Sequence, residues 1–259
     1  MLLGEEEMIM YTENILYVVC AVIVFFIGCV EGSYLNMLAY RIPIGKSIVR
    51  VRSHCTSCGR QILTRDLIPV FGWIFLKGKC RFCGEKISPK YIIVELICGL
   101  SCLAAFLVLG FSVELAFAAV LFPVLIVLSL WDIDRKKIPC ACSIIIAVLG
   151  LLSFLVADMP WYEHLIGMAV IAVPFAILSF LGAMKVGDVQ LMAASGLLLG
   201  WKIIPAAMIG IILGAVMGVI IKAKTKLNII CFGPFLSLGI AAGFLWGGDI
   251  INGYLSLIR

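Results

Sequence analysis

Apolar residues run along this chain in long blocks separated by short polar segments. Blocks able to cross a hydrocarbon core of about 30 Å, roughly 20 helical residues, lie at about 15–38, 91–110, 114–131, 139–157 and 164–184. A short block follows at about 188–201, then two more at about 203–221 and 229–251. Lipid offers no partner to an irregular backbone or an open strand edge, so the blocks predict helices. The expected fold class is an all-α polytopic membrane protein of about eight transmembrane helices. Composition agrees: 63% of the 259 residues are hydrophobic and the mean hydropathy is +1.18, which excludes a water-soluble domain.

Charge orients the blocks. The segment from Arg41 to Lys90 carries eleven Lys or Arg, including Arg50, Arg52, Arg60, Arg65, Lys77, Lys79 and Arg81, against Asp66 and Glu85. That makes it a cytoplasmic loop. Alternation then puts Arg135–Lys137 and Lys185 inside, with the Asp158–Glu163 connection and the acidic N-terminus outside. The 188–201 block is short enough for a re-entrant piece, but that would place the run Lys222–Lys226 outside, so a short crossing is expected. Both termini then lie outside. The start MLLGEEEMIMYTEN is acidic where a secretory signal is basic, so the first helix is expected to remain in the mature protein. The net charge of +5 resides in orienting loops, and no nucleic-acid partner is expected; the surrounding medium is membrane lipid.

Eleven cysteines occur. Cys20, Cys29, Cys98, Cys102, Cys140, Cys142 and Cys231 lie in or beside apolar runs without paired spacing and read as small buried hydrophobes. Cys55, Cys58, Cys80 and Cys83 differ: they form two Cys-x2-Cys pairs, each followed by glycine, in the basic loop. Four such thiolates can surround a tetrahedral Zn2+, and a reducing cytoplasm argues against two disulfides. Four protein ligands leave no open position, so the ion is expected to staple the loop and not to activate water.

Ionisable residues in or beside membrane spans call for a functional hypothesis. Here they are Glu31, Glu95, Asp132, Asp134 and Asp188, all toward the cytoplasmic side on this topology. Asp132 ends the third block in Asp132-Ile133-Asp134-Arg135-Lys136-Lys137-Ile138-Pro139, and Asp188 begins the sixth after Gly187. A bundle could bring Asp132 and Asp188 together so that the pair shares a proton, one acid and one base, as water attack on a peptide bond requires. Read from spacing alone, they could equally be interfacial caps; Asp134, beside Arg135, reads as a solvated loop charge.

With these motifs the chain resembles the type IV prepilin leader peptidases, membrane aspartic proteases of the Gly-x-Gly-Asp kind. The resemblance runs through Gly32-Ser33-Tyr34-Leu35-Asn36, Tyr40-Arg41-Ile42-Pro43, the double Cys-x2-Cys loop, Val94-Glu95, Asp132 with Ile138-Pro139, Gly187-Asp188 and Phe232-Gly233-Pro234. It implies catalytic Asp132 and Asp188, and cleavage of the leader of type IV prepilins or pseudopilins at the cytoplasmic face of a bacterial inner or plasma membrane. It also implies N-methylation of the new N-terminus with S-adenosylmethionine, for which Glu31, Asn36, Arg41 and Glu95 are the polar candidates. Two positions depart from the family pattern. Lys185 stands where the first motif glycine would be, and Gln190 where a lysine usually follows. A Lys185 ammonium facing Asp188 would change which aspartate holds the shared proton. The expected organisation is an extracytoplasmic segment 1–14, a first helix 15–40, the cysteine domain 41–90 and a transmembrane peptidase domain 91–259. Two rivals remain on the residues alone: a small transporter or channel with intramembrane acids, and an inactive zinc-knuckle scaffold for pilus assembly.

Overall fold

Nine α-helices and two short 3-10 helices form among the described residues, and no strand. The computed structural model describes residues 2–42, 45, 47, 52–156, 159–182, 184–225 and 231–258. Pro43, Arg50, Asp158 and Lys226, which enter the motif and charge patterns above, lie outside them. The helices are α1 (Leu2–Arg41), α2 (Phe71–Phe75), α3 (Lys90–Leu109), α4 (Val113–Arg135), α5 (Cys140–Ser153), α6 (Trp161–Phe180), α7 (Val186–Leu199), α8 (Ile203–Thr225) and α9 (Gly233–Ile258). All except the five-residue α2 answer to one of the eight predicted blocks. Among the described residues six stretches are long and apolar enough to cross a membrane, one of them covering α7 and α8 together, and α5 is a shorter apolar helix. The backbone of α1 is already helical at Leu2, earlier than the predicted 15; Leu, Met and Glu there are good helix formers and no proline intervenes.

The chain divides into two compact units, residues 1–115 and 116–259. In the first, α1 and α3 pack antiparallel. Gly28 and Gly32 of α1 face Cys102, Cys98 and Glu95 so closely that an added Cβ would lie 2.9 Å from Cys102 Sγ and 2.8 Å from Glu95 Cα. This small-x3-small spacing allows backbones to approach where lipid supplies no hydrophobic drive for association. Tyr17 stacks on Phe106 at 5.0 Å further along the pair. Thus α3, expected to belong with the peptidase region from 91 onward, pairs with α1 in the first unit.

In the second unit α7 packs against both α5 and α6, while α8 and α9 form an antiparallel pair. The 14 residues of α7 span only about 21 Å, and Leu191, Met192 and Ala194–Gly200 are all buried. A helix jacketed by protein need not match the bilayer. The start of α7 lies beside Asp132 and the start of α9, whereas Lys202, just beyond its end, meets Gly243 and Gly247 far along α9. The short segment therefore runs from one end of the bundle to the other, and α8 returns.

Candidate active site and metal centre

Asp132 occupies the last turn of α4 and Asp188 the first turn of α7; they are 1% and 4% exposed. The two carboxylates lie within electrostatic range of each other although 55 residues of sequence intervene. Each is met by the start of a helix. The backbone N–H of Gly233, which opens α9, donates to Asp132 Oδ2 at 2.9 Å. The backbone N–H of Lys185, the N-cap of α7, donates to Asp188 Oδ2 at 3.1 Å. Unsatisfied amides and the positive end of the helix dipole suit a carboxylate at such places. Asp132 Oδ1 has no hydrogen-bond partner among the described residues.

Lys185, the departure from the motif, touches both carboxylates. Its amide holds Asp188, and its ammonium lies 3.5 Å from Asp132 Oδ1 while donating to the Lys136 carbonyl at 2.8 Å. The ammonium thus makes its ion pair with Asp132, while its charge also reaches Asp188. Lysine carries no acceptor for the amide of Asp188, so only the reach-back half of a capping box forms. Gln190 accepts from the Cys140 thiol at 3.6 Å. Asp134 is exposed, as its place beside Arg135 predicts.

The four loop cysteines converge: all four Sγ atoms lie within 4.8 Å of one another, with Cys55 and Cys83 3.8 Å apart. Tetrahedral Zn2+ with bonds of about 2.3 Å requires S–S separations of about 3.8 Å, so the set fits that ion. Two matching turns build it. Cys55 N donates to Arg60 O and Gly59 N to Cys55 O, each at 2.9 Å; Cys80 N donates to Glu85 O at 2.8 Å and Gly84 N to Cys80 O at 2.9 Å. Gly59 and Gly84 sit at φ +70° and +73°, where a side chain would be strained. Arg60 of one turn lies over the Phe82 ring of the other, 5.3 Å from its centroid, and Arg81 grips Asp66 through two bonds of 2.8 and 2.6 Å. Backbone amides of Cys58 and Ser57 pull the Cys55 thiol down to about 6. The Glu85 amide acts the same way on Cys83, but desolvation and the three neighbouring thiols outweigh it and push Cys83 up to about 12. Cys55 is thus ready as a thiolate at neutral pH, and a bound cation would favour ionising Cys83.

Beside the loop, within the first unit, lies a cavity of about 410 Å³. Asn36, Arg41 and Glu95 line it together with Tyr40, Trp73 and Tyr91. Asn36 donates to the Tyr91 carbonyl at 3.1 Å, and Glu95 Oε2 accepts the Val70 amide at 2.7 Å. The structure does not bring Glu31 to this cavity; its carboxylate instead accepts from the Cys102 thiol at 3.7 Å. Sequence reasoning missed the amide of Gly233 as a partner of Asp132. The signal was a Gly-Pro pair opening an apolar helix, where an unsatisfied amide is guaranteed. It also missed Val70, held at φ +66°, for which the sequence carries no signal.

Residues 26–109 match the model of the bacterial peptidase A24 N-terminal domain, and residues 119–222 that of the type IV leader peptidase family. One matched segment falls in each compact unit. A prepilin leader peptidase/N-methyltransferase of Bacillus subtilis is 31% identical over 91% of this chain and 98% of its own. The proteins of the same name from Myxococcus xanthus and Stutzerimonas stutzeri are 33% and 29% identical, over 79% and 94% of this chain and 64% and 95% of theirs. No solved structure matches the chain. With both halves matched, and a relative alike from end to end, the chain belongs to the type IV leader peptidase family.

Proposed function

We propose that this protein removes the leader peptide of type IV prepilins or pseudopilins at the cytoplasmic membrane face, with Asp132 and Asp188 as the catalytic pair. The observation that carries the reading is the burial of both carboxylates within electrostatic range of each other, each against a helix N-terminus. One aspartate takes a proton from water as that water attacks the scissile carbonyl. The other donates its proton to the carbonyl oxygen; as the C–N bond breaks, the first aspartate passes the proton taken from water to the departing amine and the second recovers a proton from the gem-diol, so no covalent enzyme intermediate forms. The Lys185 ammonium beside Asp132 favours Asp132 as the base and Asp188 as the acid. The basic character of the Arg41–Lys90 loop supports a cytoplasmic site.

In this reading Cys55, Cys58, Cys80 and Cys83 hold Zn2+, which fixes the fold of the loop. The cavity of about 410 Å³ is within the range of small-molecule sites; Asn36, Arg41 and Glu95 would hold S-adenosylmethionine there. When bound, that cofactor supplies an electrophilic methyl group to the newly exposed amine. The names of the relatives support both activities. The test is coexpression of a prepilin with the wild type, Asp132→Asn or Asp188→Asn, with leader removal followed by mass. Processing by the wild type and by neither variant is expected. Processing that survives either substitution would sink the mechanism, and none by the wild type would favour an inactive scaffold.

A further inference from the structure

A second group of metal-ligating side chains lies inside the helical part of the first unit, apart from the loop tetrad. Cys98 and Cys102 are one helical turn apart on α3 and so share a face; Glu31 on α1 meets that face. One carboxylate oxygen of Glu31 and the two Sγ atoms all lie within 4.8 Å of one another, and Glu31 Oε2 is 3.7 Å from Cys102 Sγ. A tetrahedral zinc with Zn–S of about 2.3 Å and Zn–O of about 2.1 Å spaces sulfur and oxygen by about 3.6 Å. Cys98 is fully buried and Cys102 nearly so.

Two features make this more than chance packing. A carboxylate within a membrane span is costly unless paired, and among the described residues no cation lies within ion-pair distance of Glu31. The thiol of Cys102 is its polar partner there. The approach is also built into the backbones. Gly28 and Gly32 flank Glu31 by three residues and one on α1, and Gly28 leaves room for Cys102 where a Cβ would touch its Sγ at 2.9 Å. Soft thiolates beside a carboxylate select a thiophilic divalent ion such as Zn2+ over Mg2+ or Ca2+.

We propose that Glu31, Cys98 and Cys102 form a second, intramembrane zinc site. Binding displaces a thiol proton to solvent; one thiolate and the carboxylate neutralise the divalent charge, and the second sulfur completes three protein ligands. The ion would clamp α1 to α3.

The test is metal stoichiometry on the full-length protein purified with Zn2+ present, measured by mass spectrometry of the metal. Two zinc ions per chain are expected for the wild type, falling to one in Glu31→Gln and in Cys98→Ala/Cys102→Ala. The loop variant Cys55→Ser/Cys80→Ser should retain one. Replacing zinc by Co2+ gives a second reading: thiolate-to-cobalt absorption from two sites in the wild type, with the contribution of the weaker, two-sulfur site lost in Cys98→Ala/Cys102→Ala. One zinc per wild-type chain that survives Cys98→Ala/Cys102→Ala would overturn the proposal. One zinc that those changes remove would instead support this site and count against the loop tetrad.

Discussion

Replacing Gly233 by alanine should impair cleavage without removing any polar group. Built on the backbone of Gly233, a Cβ would lie 2.7 Å from Asp132 Oδ2 and 3.1 Å from its Cγ. Neither atom is the free end of a flexible chain: Asp132 is 1% exposed and Oδ2 already accepts the Gly233 amide at 2.9 Å. The carboxylate or the start of α9 must therefore move by several tenths of an ångström. Overpacking of this kind costs about 1–3 kcal/mol of stability. Misplacement of a catalytic group by about 1 Å costs about 100-fold in rate, so a shift of this size should cost about tenfold, or about 1.4 kcal/mol in the barrier. On the proposed mechanism the group displaced is the reacting one, so the loss should fall on kcat more than on KM. The assay is prepilin cleavage by solubilised enzyme, read by mass over a range of substrate concentrations. Gly253→Ala is the control: it lies on the same helix with nothing within 4 Å of its added Cβ. Wild-type kinetics for Gly233→Ala, or an equal loss in Gly253→Ala, would refute the reasoning.

Lys185→Gly keeps the amide that holds Asp188 and removes the ammonium 3.5 Å from Asp132. That side chain is 41% exposed, and solvent screens such a pair to about 1 kcal/mol, so cleavage should change by no more than about tenfold; total loss would make the ammonium indispensable. For the loop, the Arg81 guanidinium gripping Asp66 holds its carboxyl below the usual carboxylate range. A depressed value contributes stability that is complete above the ordinary value of about 3.9 and is lost as pH falls through the lowered one. Hydrogen exchange of residues 64–81 should therefore be faster in Asp66→Asn than in wild type at neutral pH, with the difference closing below about pH 4; a difference independent of pH would contradict the ion pair. With no metal bound to the loop, Cys55, with its thiol near 6, should be alkylated rapidly at neutral pH while Cys83, near 12, reacts slowly. Equal rates for the two would contradict the electrostatics of the tetrad.

Most of the helical framework was legible because lipid enforces it. A span must be apolar for about 20 residues, and the positive-inside bias favours a crossing α7 over a re-entrant one. The cysteine tetrad was legible because two short, local spacings suffice to define its turns. What stayed hidden depends on which face of a helix points inward. α1 is apolar nearly all round, and periodicity then gives no face; Glu31 was grouped with Asn36, Arg41 and Glu95 by polarity, yet it turns to Cys102 while the others line the cavity. The Gly233 amide reaches Asp132 across 101 residues of sequence, a contact that no local pattern encodes. Lys185 was visible as an odd residue, but its choice of Asp132 over Asp188 depends on where α4 ends.

The protein jacket around α7 bears on how the enzyme tolerates its surroundings. Helices that face lipid tilt or slide when the bilayer thickens or thins. A helix held by α5 and α6 along its length takes its depth from those neighbours, so Asp188 rides with its own bundle and not with the acyl chains. Changes of growth temperature or lipid chain length would then strain the outer helices of this unit while leaving the depth of Asp188 set by α5 and α6.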